Sequence, residues 1–97
     1  MVKHIVFFRF LNFSGKEIFL EELSRRIQEL KAKIKEIHYI EAGRNFSDRE
    51  VAWDLALVSE FKTREDLETY KIHPDHMDLI AFLDGHEREV AVVDYEL

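Results

Sequence analysis

The chain of 97 residues has no cysteine, so neither disulfide bonds nor thiolate chemistry can take part in whatever it does. It has one proline, Pro74, and three glycines, Gly15, Gly43 and Gly85, and each of these four residues falls where a regular element should end or begin. No apolar run approaches the roughly 20 residues that a membrane-spanning helix needs. Basic charge is scarce in the second half. Residues 1–48 carry nine Lys and Arg against seven acids, whereas residues 49–97 carry five against thirteen, within a net charge of −6. Phosphate recognition rests on basic patches, so this balance speaks against nucleic acid as a partner. The N-terminal stretch lacks the zones of a secretory signal, and the expected location is cytoplasmic.

What is present is a globular composition, 46% apolar and 35% charged, enough for one domain over residues 1–97 with one modest core. Residues 2–10, VKHIVFFRF, alternate imperfectly: His4, Val6, Phe8 and Phe10 fall on one side, Ile5 and Phe7 on the other. A strand apolar on both sides is covered twice. Ser14 and Glu17 have capping-box spacing, which predicts a helix from about 15 to 35 whose stripe is Leu20, Leu23, Ile27, Leu30 and Ile34. The stripe is too short for a coiled coil and is flanked by strands, so it should pack on a sheet. Lys31, Lys33 and Lys35 sit where cations complement the helix dipole.

IHYIEAG reads as a short strand stopping at Gly43, followed by the loop GRNFSDRE. From Trp53 to Phe61 the chain alternates again, with Trp53, Leu55, Leu57, Ser59 and Phe61 on one face. Thr63 with Asp66 predicts a second helix through Leu67 and Tyr70. Pro74 ends it and suits the first turn of a third helix running through Met77, Ile80 and Leu83. EVAVVDYEL is the last strand. Strand, helix, strand, strand, helix, strand is the ferredoxin-like βαββαβ order, an α+β fold with a four-stranded antiparallel sheet and helices on one face. The other face is expected to carry Trp53, Leu55, Leu57, Val6 and Phe8. Such a patch calls for a partner, and two sheets meeting face to face would form a barrel-like homodimer with a cavity.

The segments VKHIVFFRF, GRNFS, WDLALVSEFKTREDLETYKIHPDH and VVDYE together resemble the stress-responsive α/β barrel domain family, over nearly the whole chain. The resemblance implies a dimeric α+β barrel with a small-molecule-sized cleft. Plant proteins similar to this family are polyketide cyclases that carry out an intramolecular aldol condensation without metal or cofactor. A tyrosine and a histidine of a YxxHPxH segment act together in them, which points to Tyr70 and His76 here, with His4 of the first strand lining the same cleft. Leu55 stands where those cyclases have a further histidine.

At the start of a helix, His76 would be held neutral by the positive end of the dipole, as a general base requires. Tyr70 could hydrogen-bond a substrate carbonyl. His4, Val6, Phe8, Trp53, Leu55 and His73 are the candidate ligand-lining residues, although His73 also reads as a turn residue capping the next helix, and a histidine on an apolar strand face often belongs to the core. His73, Asp75 and His76 straddle a proline and lack a regular ligand spacing, so no metal site is expected. His38 and His86 read as solvent-facing. Three readings follow: a homodimer binding a small apolar or aromatic ligand, a cofactor-independent cyclase, or a structural dimer whose cavity its own side chains fill.

Overall fold

A computed structural model describes residues 1–97. Four strands, β1 (Val2–Phe10), β2 (Ile37–Arg44), β3 (Leu55–Phe61) and β4 (Arg88–Glu96), form one antiparallel sheet in the order β2-β3-β1-β4. Three helices, α1 (Lys16–Lys33), α2 (Arg64–Ile72) and α3 (Pro74–Phe82), lie on one face. The expected ferredoxin-like order is the observed one, with its second helical element broken in two at Pro74.

The α1 stripe is buried as its spacing requires: Leu20, Leu23, Ile27, Leu30 and, just past the helix, Ile34 are all 3% exposed or less. Each burial of this kind is worth about 2 kcal/mol, so the stripe fixes the helix on the sheet more firmly than its propensity does. Its start differs from expectation. The residue before the helix is Gly15, at φ 85°, and no side chain caps the first turn. Ser14 is exposed and Glu17 instead pairs with Arg44 on β2. A left-handed residue at that place is easy only for glycine, and the turn it makes carries Ser14 out of reach. By contrast Thr63 caps α2 as its spacing implies, its hydroxyl accepting from the Asp66 amide at 3.1 Å.

The two faces of the sheet are the reverse of the expectation. Val6 and Phe8 of β1 and Leu55 and Leu57 of β3 point to the helices and are at most 7% exposed. The uncovered face carries Ile5 and Phe7, opposite Val58 and Ala56 on β3 and Val93 and Ala91 on β4. Phe7, Val93 and Tyr95 are 46%, 59% and 42% exposed. The molecule is thin, 38 × 26 × 18 Å, and exposes 6362 Å² where a compact monomer of 11.6 kDa would expose about 5,800 Å². The open sheet face contributes to that excess, and so does the helix side of β4, where Val90 and Val92 are 48% and 52% exposed. His86 also departs from its reading: it stacks 4.1 Å from Phe19 and 4.8 Å from Phe13 at the end of an aromatic cluster with Phe82.

Candidate functional site

β1 puts every second residue under the helices, and His4 is the one polar residue in that row. It is 7% exposed. Two neighbours account for how it is tolerated. On β3, Ser59 pairs with it in register, is fully buried, and donates its hydroxyl to the His4 carbonyl at 3.3 Å. On β4, Asp94 is its register partner, and the His4 Nδ1 hydrogen-bonds the Asp94 carboxylate. A carboxylate only accepts, so Nδ1 carries the proton and, in the neutral ring, Nε2 is left with its lone pair.

From above, α2 and α3 bring Tyr70 and His76. The rings of Tyr70 and His76 are 4.3 Å apart, and the His4 ring meets Tyr70 edge-on at 6.1 Å. Their closeness follows from the break between the helices: His73 is extended, Pro74 opens α3, and the chain turns so that a residue of the first turn of α3 sits beside the last turn of α2. His76 Nδ1 donates to the Lys71 carbonyl at 2.9 Å, which leaves its Nε2 as a bare acceptor. Burial lowers the His76 pKa, against the opposing pull of the Lys71 carbonyl, and the nearby His4 and His73 lower it further. The ring is therefore neutral at neutral pH. Tyr70 is 1% exposed and burial raises its pKa, so its hydroxyl stays protonated. That hydroxyl has no hydrogen-bond partner. A buried tyrosine hydroxyl nearly always finds one, so this group is a donor in want of an acceptor.

The remaining sequence candidates fall in different places. Val6 and Phe8 continue the His4 row along β1, and Leu55 pairs with Phe8 in the same core. His73 spends its Nδ1 on the α3 cap, accepting from the Asp75 amide at 3.1 Å. Trp53 is not with the histidines. It precedes β3, lies beneath the Arg9 guanidinium at 4.5 Å, and belongs to a cavity of about 430 Å³ that opens on the helix-free face with Phe7, Phe46 and Val51. Asp94 and Ser59 are the members of the helix-side cluster that sequence reasoning passed over. Asp94 also lines a smaller surface cleft of about 260 Å³ beside Arg64, Leu67 and Lys71. That cleft includes none of His4, Tyr70 and His76; within the cluster His4 and Tyr70 are buried, whereas His76 is partly exposed.

The sheet with helices on one face, and a His–Tyr–His cluster between the two layers, defines a ferredoxin-like α+β domain. The chain belongs to the stress-responsive A/B barrel domain family, whose model matches residues 2–97. It is similar to a protein of Bacteroides fragilis described as dimeric, ferredoxin-like and of unknown function: 35% identity, TM-score 0.90, covering 99% of this chain and 95% of that one. An Arabidopsis thaliana protein aligns at 26% identity and TM-score 0.80 over 100% of this chain and 95% of its own. A hydroxynitrile lyase from Passiflora edulis shares the fold at 23% identity and TM-score 0.76, over 97% and 90%. No curated protein matches the sequence. No helix is long and apolar enough to cross a membrane.

Proposed function

We propose that this protein is a homodimer, joined through the helix-free face of its sheet, that binds a small apolar or aromatic ligand between sheet and helices at His4, Tyr70, His76 and Asp94. The observation that carries the ligand site is the partnerless, buried Tyr70 hydroxyl. A ligand carbonyl or similar oxygen supplies the acceptor it lacks, and the core side chains Val6, Phe8 and Leu55 provide the apolar surroundings. His76 already meets solvent on one side, and a shift of α3 opens the buried Tyr70 hydroxyl and His4 ring to the ligand. Support for the dimer comes from the uncovered Ile5, Phe7 and Val93 surface and from the dimeric relative at 35% identity. The acidic balance keeps nucleic acid out of this reading, and a cytoplasmic location goes with the absence of cysteine.

A specific observation favours a second reading, catalysis of the cofactor-independent cyclase type. His76 presents a neutral ring with a free Nε2 beside a protonated tyrosine. Base and hydrogen-bond donor are the two groups that enolate formation and aldol closure need: Nε2 removes a proton next to a carbonyl, and the Tyr70 hydroxyl holds the oxygen on which charge develops.

Native mass spectrometry of gently purified protein tests the ligand site. The expected result is a dimer with added mass that is lost in Tyr70→Phe and in His76→Ala, with the dimer kept. Added mass that survives both substitutions places the ligand elsewhere. A dimer without added mass, in wild type and variants alike, supports a cavity filled by the protein's own side chains.

A further inference from the structure

The loop between β2 and β3, residues 45–54, is tied down by a chain of polar contacts. Asn45 closes its base, its amide donating to the Asp54 carbonyl at 3.0 Å and its side-chain nitrogen to the Trp53 carbonyl at 2.6 Å. The Ser47 amide donates to the Asn45 side chain at 2.7 Å, and the Arg49 amide to the Ser47 hydroxyl at 3.3 Å. At the far end the Asp54 carboxylate takes the Phe10 amide at 2.7 Å and the Lys16 ammonium at 3.2 Å, which ties the loop to β1 and α1. Polar groups do all of this.

Two of the loop's three large apolar side chains, Phe46 and Val51, are left over, while Trp53 lies beneath Arg9. Phe46 is fully exposed and Val51 is 69% exposed. Both rim the cavity of about 430 Å³ whose floor is Phe7, Trp53 and Ala56, so the cavity has walls and floor but an open top. Phe7 and Ala56 belong to the uncovered sheet face as well, which makes the cavity continuous with that face. The loop carries charges of both signs, Asp48 and Glu50 with Arg44 and Arg49 about it, so two copies brought together about a twofold axis meet no block of like charge.

We propose that this loop is a dimer clasp: Phe46 and Val51 of each protomer seat on the sheet face of a second copy, and that copy closes the cavity over Trp53. The inference rests on the homodimer proposed above. A second copy is the occupant because the cavity runs into the face that copy would cover, because the relative at 35% identity is dimeric, and because the chain exposes more surface than a compact monomer of its mass. In an isologous contact the same seat is made twice, so each loop counts double.

Trp53 is the only tryptophan, which gives the test its readout. Sedimentation velocity over a dilution series is run with the Trp53 emission recorded on the same samples, for the wild type, Phe46→Ser, the double variant Phe46→Ser with Val51→Ser, and Ile18→Ser as control. Ile18 is 75% exposed on α1, on the helix side of the sheet. The expected result is a wild-type dimer whose tryptophan emission moves to the red as it dissociates. The double variant should raise the dissociation constant roughly tenfold or more, the size expected when interface anchors are removed, and Phe46→Ser alone should give part of that rise. Ile18→Ser should change nothing, and circular dichroism should stay native throughout.

A wild-type dimer that dissociates as before in the double variant, with tryptophan emission flat across dissociation, overturns the clasp and leaves the homodimer standing. A wild type that is monomeric at every concentration overturns both. Uptake of anilinonaphthalene sulfonate by the wild-type dimer, with a matching change in Trp53 emission, means that the cavity stays open to small molecules in the assembly, and that also overturns the clasp.

Discussion

His4 and Asp94, ninety positions apart, are register partners on β1 and β4 and are joined by a hydrogen bond from the imidazole Nδ1 to the carboxylate. The pair links the buried cluster to the surface, since His4 is almost fully enclosed while the Asp94 side chain is a third exposed and borders a cleft. Its first consequence is tautomeric. Nitrogen-detected NMR of the wild type should show His4 protonated at Nδ1, and Asp94→Ala should redistribute the proton between the two nitrogens. The same substitution should cost about 1 kcal/mol of stability, less than the usual worth of a hydrogen bond to a charged group because Asp94 is partly solvated. An unchanged His4 tautomer in Asp94→Ala would remove Asp94 from its positioning role.

Tyr70→Phe should separate function from stability. Most buried hydroxyls are hydrogen-bonded, and deleting them destabilises. The Tyr70 hydroxyl is buried with no partner, so its removal relieves a desolvation cost while the ring keeps its packing on Phe61 and His76. Thermal or urea unfolding of the ligand-free protein should therefore find Tyr70→Phe as stable as the wild type, or more stable by up to about 1 kcal/mol, while ligand binding is lost. A marked loss of stability would show that the hydroxyl is already satisfied and would remove the main support for the ligand site.

His76 sets a pH dependence whose sign follows from burial. Its pKa in the folded protein lies below the value of about 6.5 that it has in the unfolded chain. Between those two values the unfolded state binds more protons, so stability rises with pH. The contribution is complete above about pH 6.5 and erodes as pH falls through the lower folded value. The chain holds four other histidines, so the comparison is with His76→Asn: its stability curve should lack part of the wild-type loss below about pH 6.5. Parallel curves for the two proteins would mean that His76 is not held neutral by the fold.

Strand positions and the α1 stripe were legible in the sequence because periods of two and of three to four residues leave plain marks. Which face of the sheet meets the helices was not. β1 carries Val6 and Phe8 on one side and Ile5 and Phe7 on the other, and alternation alone cannot rank two apolar sides. Trp53 lies on the helix-free side, as expected, but apart from Leu55 and Leu57. Extending the β3 alternation back by two residues assigns it to the Leu55 face, but the strand begins at Leu55, and the Asp54 amide bonds to the Phe8 carbonyl as the chain turns away. Asp94 did leave a signal, as the one acid among the valines of VAVVD, but it acquires meaning only once the β1–β4 register sets it opposite His4.

The helix starts give a contrast that composition would not suggest. Ser14 with Glu17 and Thr63 with Asp66 both have capping-box spacing, yet only Thr63 bonds to a helix amide. Thr63→Ala should therefore destabilise by about 1 kcal/mol, the usual worth of a cap, and Ser14→Ala should be neutral within about 0.5 kcal/mol. Equal losses in chemical denaturation would restore the Ser14 cap.

The two assignments of the sheet faces give opposite expectations for Val93 and Leu57. Val93 and Leu57 are both apolar strand residues, but Val93 is 59% exposed on the open side and Leu57 is 2% exposed beneath the helices. A charge at Leu57 would be buried without a partner, so Leu57→Glu should unfold the chain. A charge at Val93 meets water in the isolated protomer and is desolvated only when a second sheet covers it, where the twofold brings a second copy of the same charge close by. Val93→Glu should accordingly yield a folded monomer, native by circular dichroism and half the wild-type mass by light scattering. A Val93→Glu protein that remains a dimer at micromolar concentration would move the interface off this face, and a Leu57→Glu protein that folds normally would contradict the side of the sheet on which the core is built.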